Sequence, residues 1–183
     1  MDKIDNFLDA ITLTKAVEGF LTDGKRVCLG LRKRVSSGLG ENLIAGIGGK
    51  IGDLAEYINE SPGEAMDREV REEIEVSVLE KHELGRVRFI FSHKPPDSQW
   101  NQDVIIYLIT KWKGEPVETE STKPEWYKID EIPWESMWAD NFHWLPAVLA
   151  DQKVNAVFIY GDDNRISEYR VQSTGSSNST SDP

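Results

Sequence analysis

Apolar and polar residues alternate in short blocks along most of the chain, and glycine, aspartate, asparagine or proline separates the blocks. The runs "ITLTKAVEGFL" and "RVCLGLRKR" flank Thr22-Asp23-Gly24-Lys25, and Asp-Gly between two such runs predicts a β-hairpin. "LIAGIGGK" reads as a short strand that breaks into a glycine turn. "VRFIF", "DVIIYLITKWK" and "EWYKI" read as further strands, the second apolar on both faces and so placed centrally. "NAVFIYGDDNRISEYRV" predicts a closing hairpin that turns at Asp162-Asp163-Asn164.

Two stretches follow helical rules instead. Ser61-Pro62-Gly63-Glu64 has the form of a capping box, with Ser61 as N-cap, Pro62 in the first helical position and Glu64 reaching back from the third. The spacing predicts a helix from there to about Ile74. "NFHWLPAVLADQ" predicts a second helix, entered near Pro146 or slightly before it. Strands flanked by two helices make a layered mixed α/β or α+β domain.

The length of 183 residues suits one domain, residues 1–171, with a core of ordinary size. Residues 172–183, "QSTGSSNSTSDP", contain no apolar residue to bury and are expected to form a disordered tail. A net charge of −11 argues against a nucleic-acid-binding surface, which needs a basic stripe. It leaves room for a small anionic substrate, because a bound divalent cation inverts the local field. Cys28 is the one cysteine, so no internal disulfide forms and a reducing compartment is expected. No basic segment followed by an apolar run opens the chain, and no run approaches the ~20 apolar residues of a membrane span. A cytoplasmic protein without membrane attachment is the expectation.

Glu69, Glu72 and Glu73 concentrate the chemistry. Their i, i+3, i+4 spacing puts them on one helical face, where like charges repel by a few tenths of a kcal/mol per pair. With Arg68 and Arg71 interleaved, a solvated acidic face is one reading. A hard cation such as Mg²⁺ is the other, since it takes carboxylate oxygens together with substrate phosphates and water. The glycines just upstream do not match the established phosphate loops. "GIGGKIG" lacks G-x-G-x-x-G spacing, Ile44 stands five positions before Gly49, and Ile51 occupies the place of a P-loop Ser or Thr.

Glu60, seven intervening residues, then Arg68-Glu69-Val70-x-Glu72-Glu73-x-x-Val76 resembles the Nudix box, G-x5-E-x7-R-E-U-x-E-E-x-G-U with U aliphatic. Two departures stand out. Ten residues rather than five separate Gly49 from Glu60, and Glu75 replaces the closing glycine of a left-handed helix end, at a cost of roughly 1 kcal/mol. Outside the box, "RVCLGLRKR", "GIGGK", "GRVRFIF", "GEPVETESTKPEWYKIDEIPWESMWADNFHWLPAVL" and the closing hairpin are similar to the oxidised purine nucleoside triphosphate diphosphatases of that family, the 8-oxo-dGTP-cleaving branch. The similarity runs from about residue 12 to 171.

The resemblance implies an α+β fold, an α/β/α sandwich in which a mixed sheet is flanked by a catalytic helix and a second, C-terminal helix. It implies Mg²⁺-dependent hydrolysis of an oxidised purine nucleoside triphosphate to monophosphate and pyrophosphate, which sanitises the nucleotide pool; Mn²⁺ is an alternative ion. Glu69, Glu72, Glu73 and the backbone of Gly48 would bind metal, and one of the three glutamates would take a proton. Glu120 is a second-rank base. Arg68, paired with Glu60 or a neighbour, would brace the helix. Arg32 and Lys50 would meet phosphates. Trp138 and Asp140 match a Trp-x-Asp-Asp segment that stacks on the purine and hydrogen-bonds its edge, and Phe89 and Phe91 match pocket aromatics that could equally be core.

Three positions depart from the branch: Asn141 replaces the second aspartate, Ala45 a base-contacting asparagine, and Gln102 an apolar pocket residue. They leave open an unmodified dNTP or another nucleoside diphosphate-linked substrate, because lost polar complementarity shifts selectivity by orders of magnitude. A non-catalytic nucleotide sensor is the reading from another class. The only expected partner is the small nucleotide, on a monomer. His82 and His93, flanking a strand, and His143, opening a helix, have no partner at metal-ligand spacing and are expected in surface or capping roles.

Overall fold

A computed structural model describes residues 3–33, 38–52, 54–174 and 176–181. Its strands are β1 (Thr14–Thr22), β2 (Arg26–Arg32), β3 (Ile44–Ala45), β4 (Ile47–Lys50), β5 (Ser77–Phe91), β6 (Gln102–Lys113), β7 (Thr122–Lys128), β8 (Val154–Tyr160), β9 (Ile166–Ser173) and β10 (Ser176–Ser181). The helices are α1 (Lys3–Ala10), α2 (Pro62–Ile74) and α3 (Asn141–Leu149). The strands form one sheet in the order β10-β9-β8-β5-β6-β1-β2-β3, with β4 added on β1 and β7 on β2. The β1–β6 and β5–β8 pairs are parallel and the others antiparallel, so the sheet is mixed.

Side-chain alternation sorts the core onto two faces. β6 lies between β5 and β1 and buries both faces, as its continuous apolar run predicts. Val104, Ile106 and Leu108 join Trp144, Leu145 and Val148 of α3 in the larger cluster. Tyr107 and Ile109 pack with Met66, Val70 and Ile74 of α2 on the other side. Ile90, Val157 and Ile159 share that second side and are covered by Ile4, Phe7 and Leu8 of α1 and by Ile11 just after it. The result is an α+β sandwich, helices on both faces of a mixed sheet.

Local chemistry explains most element boundaries. Asp23 Oδ1 accepts from the backbone N–H groups of Lys25 and Arg26 at 2.9 and 2.7 Å, and Gly24 takes φ +84°, which closes the β1–β2 hairpin. Ser61 accepts from Glu64 N while the Glu64 carboxylate accepts from Ser61 N, so both halves of the capping box are formed. α2 ends at Glu75, which holds a left-handed conformation at φ +58°.

The structure departs from the sequence reading in four places. "GIGGK" is strand β4 rather than a turn, because Gly48 pairs with Glu18 on β1 so closely that a Cβ there would lie 2.0 Å from the Val17 carbonyl oxygen. β5 starts ten residues before "VRFIF", and irregular register at 78–80 and 83–85 breaks its alternation. α3 starts five residues before Pro146; the proline removes only the donor that would meet the Phe142 carbonyl, on an exposed residue. α1 is an additional helix. At the sheet's far edge β9 runs to Ser173 and pairs with β10 through backbone ladder bonds. None of the helices is long and apolar enough to cross a membrane, among the described residues.

Candidate active site

α2 carries the acidic cluster, and its geometry divides the three glutamates. Glu69 and Glu73, four residues apart, face the sheet and line a cleft with Gly48, Gly49 and Lys50 of β4. Glu72 turns outward: its side chain is 47% exposed, and its oxygens accept from Arg68 Nη1 at 3.2 Å and the Tyr57 hydroxyl at 3.3 Å. No three carboxylates converge in ligating geometry among the described residues.

Arg68 organises the group from behind. Its guanidinium donates to both oxygens of Glu60, to Glu69 Oε1 at 2.7 Å and to the Lys50 carbonyl at 3.0 Å, with the Tyr57 ring 4.5 Å away on one face. The hydrogen bonds from Arg68 hold Glu60 below the usual carboxylate range. Gly49 lets the Glu69 carboxylate lie against the backbone: a Cβ there would be 2.5 Å from Glu69 Oε1.

Glu73 is held differently. One oxygen accepts from Gly48 N at 3.2 Å, yet burial, with Glu69 adding repulsion, pushes its carboxyl up to about 7, against an opposing pull from Arg32. A carboxylate so poorly compensated, beside a second one and the backbone of two glycines, is an all-oxygen donor set with a deficit of positive charge. That set fits a hard divalent cation.

The same cleft has an aromatic part. Phe89, Phe91 and Trp138 line it with Ala45, Gln102, Asp140 and Asn141, and Arg32, also in the lining, acts on both Glu73 and Glu18. Phe91 also belongs to the core: it is 2% exposed and stacks on Tyr160 at 4.9 Å. Asp140 is fully occupied. Its Oδ1 accepts from the Tyr160 hydroxyl at 2.5 Å and its Oδ2 from Trp144 Nε1 at 2.7 Å; burial pushes it up to about 6 in spite of both donors. Asn141 donates from Nδ2 to the Trp138 carbonyl at 3.1 Å, and its buried Oδ1 has no hydrogen-bond partner among the described residues.

The structure thus brings together Arg32, Gly48, Lys50, Glu69, Glu73, Phe89, Phe91, Trp138, Asp140 and Asn141, and leaves Glu72 and Glu120 outside the lining. Lys50 Nζ donates to Gln99 Oε1 at 2.6 Å. The histidines stay away from the cleft: His82 lies within β5 and meets Asp151 at 2.9 Å, His93 packs on Phe91 and Trp100, and His143 packs on Tyr169. Sequence reasoning misses Glu18 and Tyr160 in the lining. Glu18 carries no signal, because an acid in an alternating strand reads as a solvent-facing residue.

A family model described as the NUDIX domain matches residues 12–148. The chain belongs to the Nudix hydrolase family. It is 32% identical over 146 residues to an oxidized purine nucleoside triphosphate hydrolase of Danio rerio, covering 80% of this chain and 86% of that one. The Mus musculus protein of the same name is 31% identical over 152 residues, covering 83% and 90%. Among solved structures, a MutT protein from Bacillus halodurans superposes with a TM-score of 0.71 at 23% identity, covering 87% of this chain and 98% of that one. The NUDIX domain of Shewanella oneidensis NrtR, solved with ADP ribose, gives 0.57 at 16% identity, covering 82% and 99%. These structures share the fold. In this Nudix chain, α2 is the helix of the Nudix box, and the longer loop before Glu60 places Tyr57 on Arg68.

Proposed function

We propose that this Nudix hydrolase cleaves a purine nucleoside triphosphate, with oxidised purines as the favoured class, into the nucleoside monophosphate and pyrophosphate, and so cleans the nucleotide pool. One observation carries the reading: a single cleft joins a charged end, with Glu69, Glu73, Arg32 and Lys50, to an aromatic end with Phe89, Phe91 and Trp138. Polyphosphate and base of one nucleotide match those two ends, and two relatives above 30% identity bear the corresponding name.

Glu69, Glu73 and the Gly48 backbone would hold Mg²⁺ or Mn²⁺, with Glu72 joining by rotation from its exposed position. The bound ion supplies charge neutralisation at the phosphates and a more acidic water. The chain supplies the rest. Arg68 fixes Glu69 in place, and Arg32 and Lys50 hold the phosphate oxygens. Trp138 and Phe89 flank the base, with Phe91 packed behind Trp138, and exclude water. One of the three α2 glutamates would accept a proton from the attacking water. The site is complete within one chain, which supports a monomer, and the buried thiol of Cys28 suits the cytoplasm.

Steady-state hydrolysis of 8-oxo-dGTP beside dGTP, with Mg²⁺ and products resolved by chromatography, tests the reading. A kcat/KM at least about tenfold higher for 8-oxo-dGTP supports it, a difference of about 1.4 kcal/mol in transition-state binding. Equal rates would mean that Ala45 and Asn141 have redirected the pocket toward unmodified or other nucleotides. No turnover of any nucleotide would leave a sensor.

A further inference from the structure

Glu18 is misplaced by the rules that build the rest of β1. Along that strand Ala16 and Phe20 face the larger core cluster, and Glu18 stands between them in the same row. A carboxylate in an apolar row is strongly destabilising unless something compensates it. The fold gives partial compensation. Gly46 N donates to Glu18 Oε1 at 2.9 Å, and Arg32 contributes a favourable charge while Asp140 contributes an unfavourable one. The seat is built for the side chain: a Cβ on Gly46 would lie 2.7 Å from Glu18 Cγ and 2.8 Å from the Phe20 ring. Beyond the Gly46 bond, Glu18 has no hydrogen-bond partner among the described residues, so Oε2 is unclaimed.

A second unclaimed acceptor lines the same end of the cleft. Asn141 is 6% exposed and its Nδ2 is committed to the Trp138 carbonyl, which leaves Oδ1 buried and unpaired. Asp140, by contrast, already accepts at both oxygens, from Tyr160 and Trp144. Two free acceptors beside three aromatic walls call for a flat ligand whose edge carries N–H donors.

We propose that Glu18 is a specificity-determining residue that accepts hydrogen bonds from a nucleobase edge with adjacent N–H donors, the N1–H and 2-amino groups of a guanine-type base, with Asn141 Oδ1 as the companion acceptor. An adenine-type base presents an acceptor at N1 and leaves the carboxylate unpaired. This assignment rests on the proposed function's placement of the base at the aromatic end. A site built to hydrogen-bond a substrate N–H rejects analogues that lack it, because its own buried polar group is then stranded.

The test compares wild type, Glu18→Gln and Glu18→Leu with dGTP, dITP and dATP, alongside GMP and AMP binding followed by tryptophan fluorescence. Wild type is expected to prefer dGTP over dATP by about tenfold or more, with dITP between them, and Glu18→Leu to shrink that ratio severalfold, mainly through KM. Circular dichroism establishes that Glu18→Leu is folded; if it is not, the isosteric Glu18→Gln, expected to lose part of the preference, carries the test. A ratio unchanged in the folded variants overturns the assignment. If wild type hydrolyses no triphosphate yet binds GMP over AMP, and Glu18→Leu loses that preference, the proposed function fails and the role of Glu18 stands. Equal binding of GMP and AMP by wild type overturns it.

Discussion

Arg68 and Glu60 form a bidentate ion pair, Nη2 to Oε1 at 2.6 Å and Nε to Oε2 at 2.9 Å, with side chains only 6% and 8% exposed. The pair fastens the loop before α2 to the helix that carries Glu69, and the same guanidinium reaches Glu69 and Glu72. Removing Arg68 leaves the buried Glu60 carboxylate with only the Gly52 N–H, at 2.9 Å, whereas removing Glu60 leaves Arg68 with Glu69, Glu72 and the Lys50 carbonyl. Arg68→Ala is expected to lower unfolding free energy by about 3–5 kcal/mol in urea titrations, and Glu60→Ala by less. Arg68→Lys keeps the charge but not the fork, and should recover less than half of the loss. A loss under about 1 kcal/mol for both alanine variants would mean the pair is only a surface contact.

Burial pushes the carboxyls of Glu18 and Glu73 up to about 7 and that of Asp140 up to about 6. In the unfolded chain these groups ionise near pH 4, so between about pH 4 and 7 the folded protein binds more protons than the unfolded one. Their contribution is therefore fully present below about pH 4 and is lost as pH rises through 7. His143 acts oppositely, since burial lowers its pKa and its contribution appears as pH rises through its usual value. Three carboxyls against one imidazole set the net sign. In EDTA, Tm should fall by about 5 °C or more between pH 5.5 and 8, and Glu73→Gln should flatten the fall. A Tm that rises over this interval contradicts the burial of these groups.

The two glycines of β4 predict opposite failures. A Cβ on Gly48 meets backbone, the Val17 carbonyl oxygen at 2.0 Å, so Gly48→Ala must part β4 from β1. The atoms nearest a Cβ on Gly49 are those of the Glu69 carboxylate, from 2.5 Å, the far end of a side chain that can swing. Gly48→Ala should destabilise the fold by about 2 kcal/mol or more. Gly49→Ala should melt within a few degrees of wild type yet lose about a hundredfold in kcat, because Glu69 is displaced. Equal stability losses in the two variants would refute the distinction.

What the sequence made legible is what short-range chemistry decides. Ser61, Pro62 and Glu64 sit within four residues of one another, so the start of α2 is readable from spacing alone, and so is the Asp23-Gly24 turn. Ile4, Phe7, Leu8 and Ile11 also follow helical spacing, but eight residues with a polar opposite face make too weak a pattern, and only the sheet surface beneath them stabilises α1. Asp140 reads as a base contact, and that Tyr160, twenty residues away on β8, also donates to it is visible only in the folded chain. Glu18 needs the β1–β4 pairing and the bare backbone of Gly46 before its position has meaning. The carboxylates of α2 were readable as a cluster, whereas the outward turn of Glu72 depends on Tyr57 in the longer loop.

Glu75 closes α2 in a left-handed conformation, φ +58° and ψ +29°, and its N–H donates to the Arg71 carbonyl. A side chain with a Cβ pays steric strain there that glycine avoids. Glu75→Gly is expected to raise stability by up to about 1 kcal/mol, reduced by the greater freedom of glycine in the unfolded chain. Urea unfolding with an unchanged slope measures it. A destabilised variant would show that the Glu75 side chain makes contacts worth more than the strain.

Asp140 joins α3 to the sheet through two donors, Trp144 Nε1 and the Tyr160 hydroxyl, all three residues being nearly inaccessible to solvent. The triad sets the entry of α3 and, through the adjacent Trp138 and Asn141, the aromatic wall of the cleft. Asp140→Ala strands both donors and opens a void, which should cost about 2–5 kcal/mol. Tyr160→Phe removes one donor and leaves the carboxylate half satisfied, at about 1–3 kcal/mol. If the two changes act on one network, the double variant Asp140→Ala/Tyr160→Phe should lose less than the sum of the single losses. Additive losses would mean that the two residues are stabilised separately, and a large drop in kcat/KM with no drop in stability for Asp140→Ala would return Asp140 to direct contact with the base.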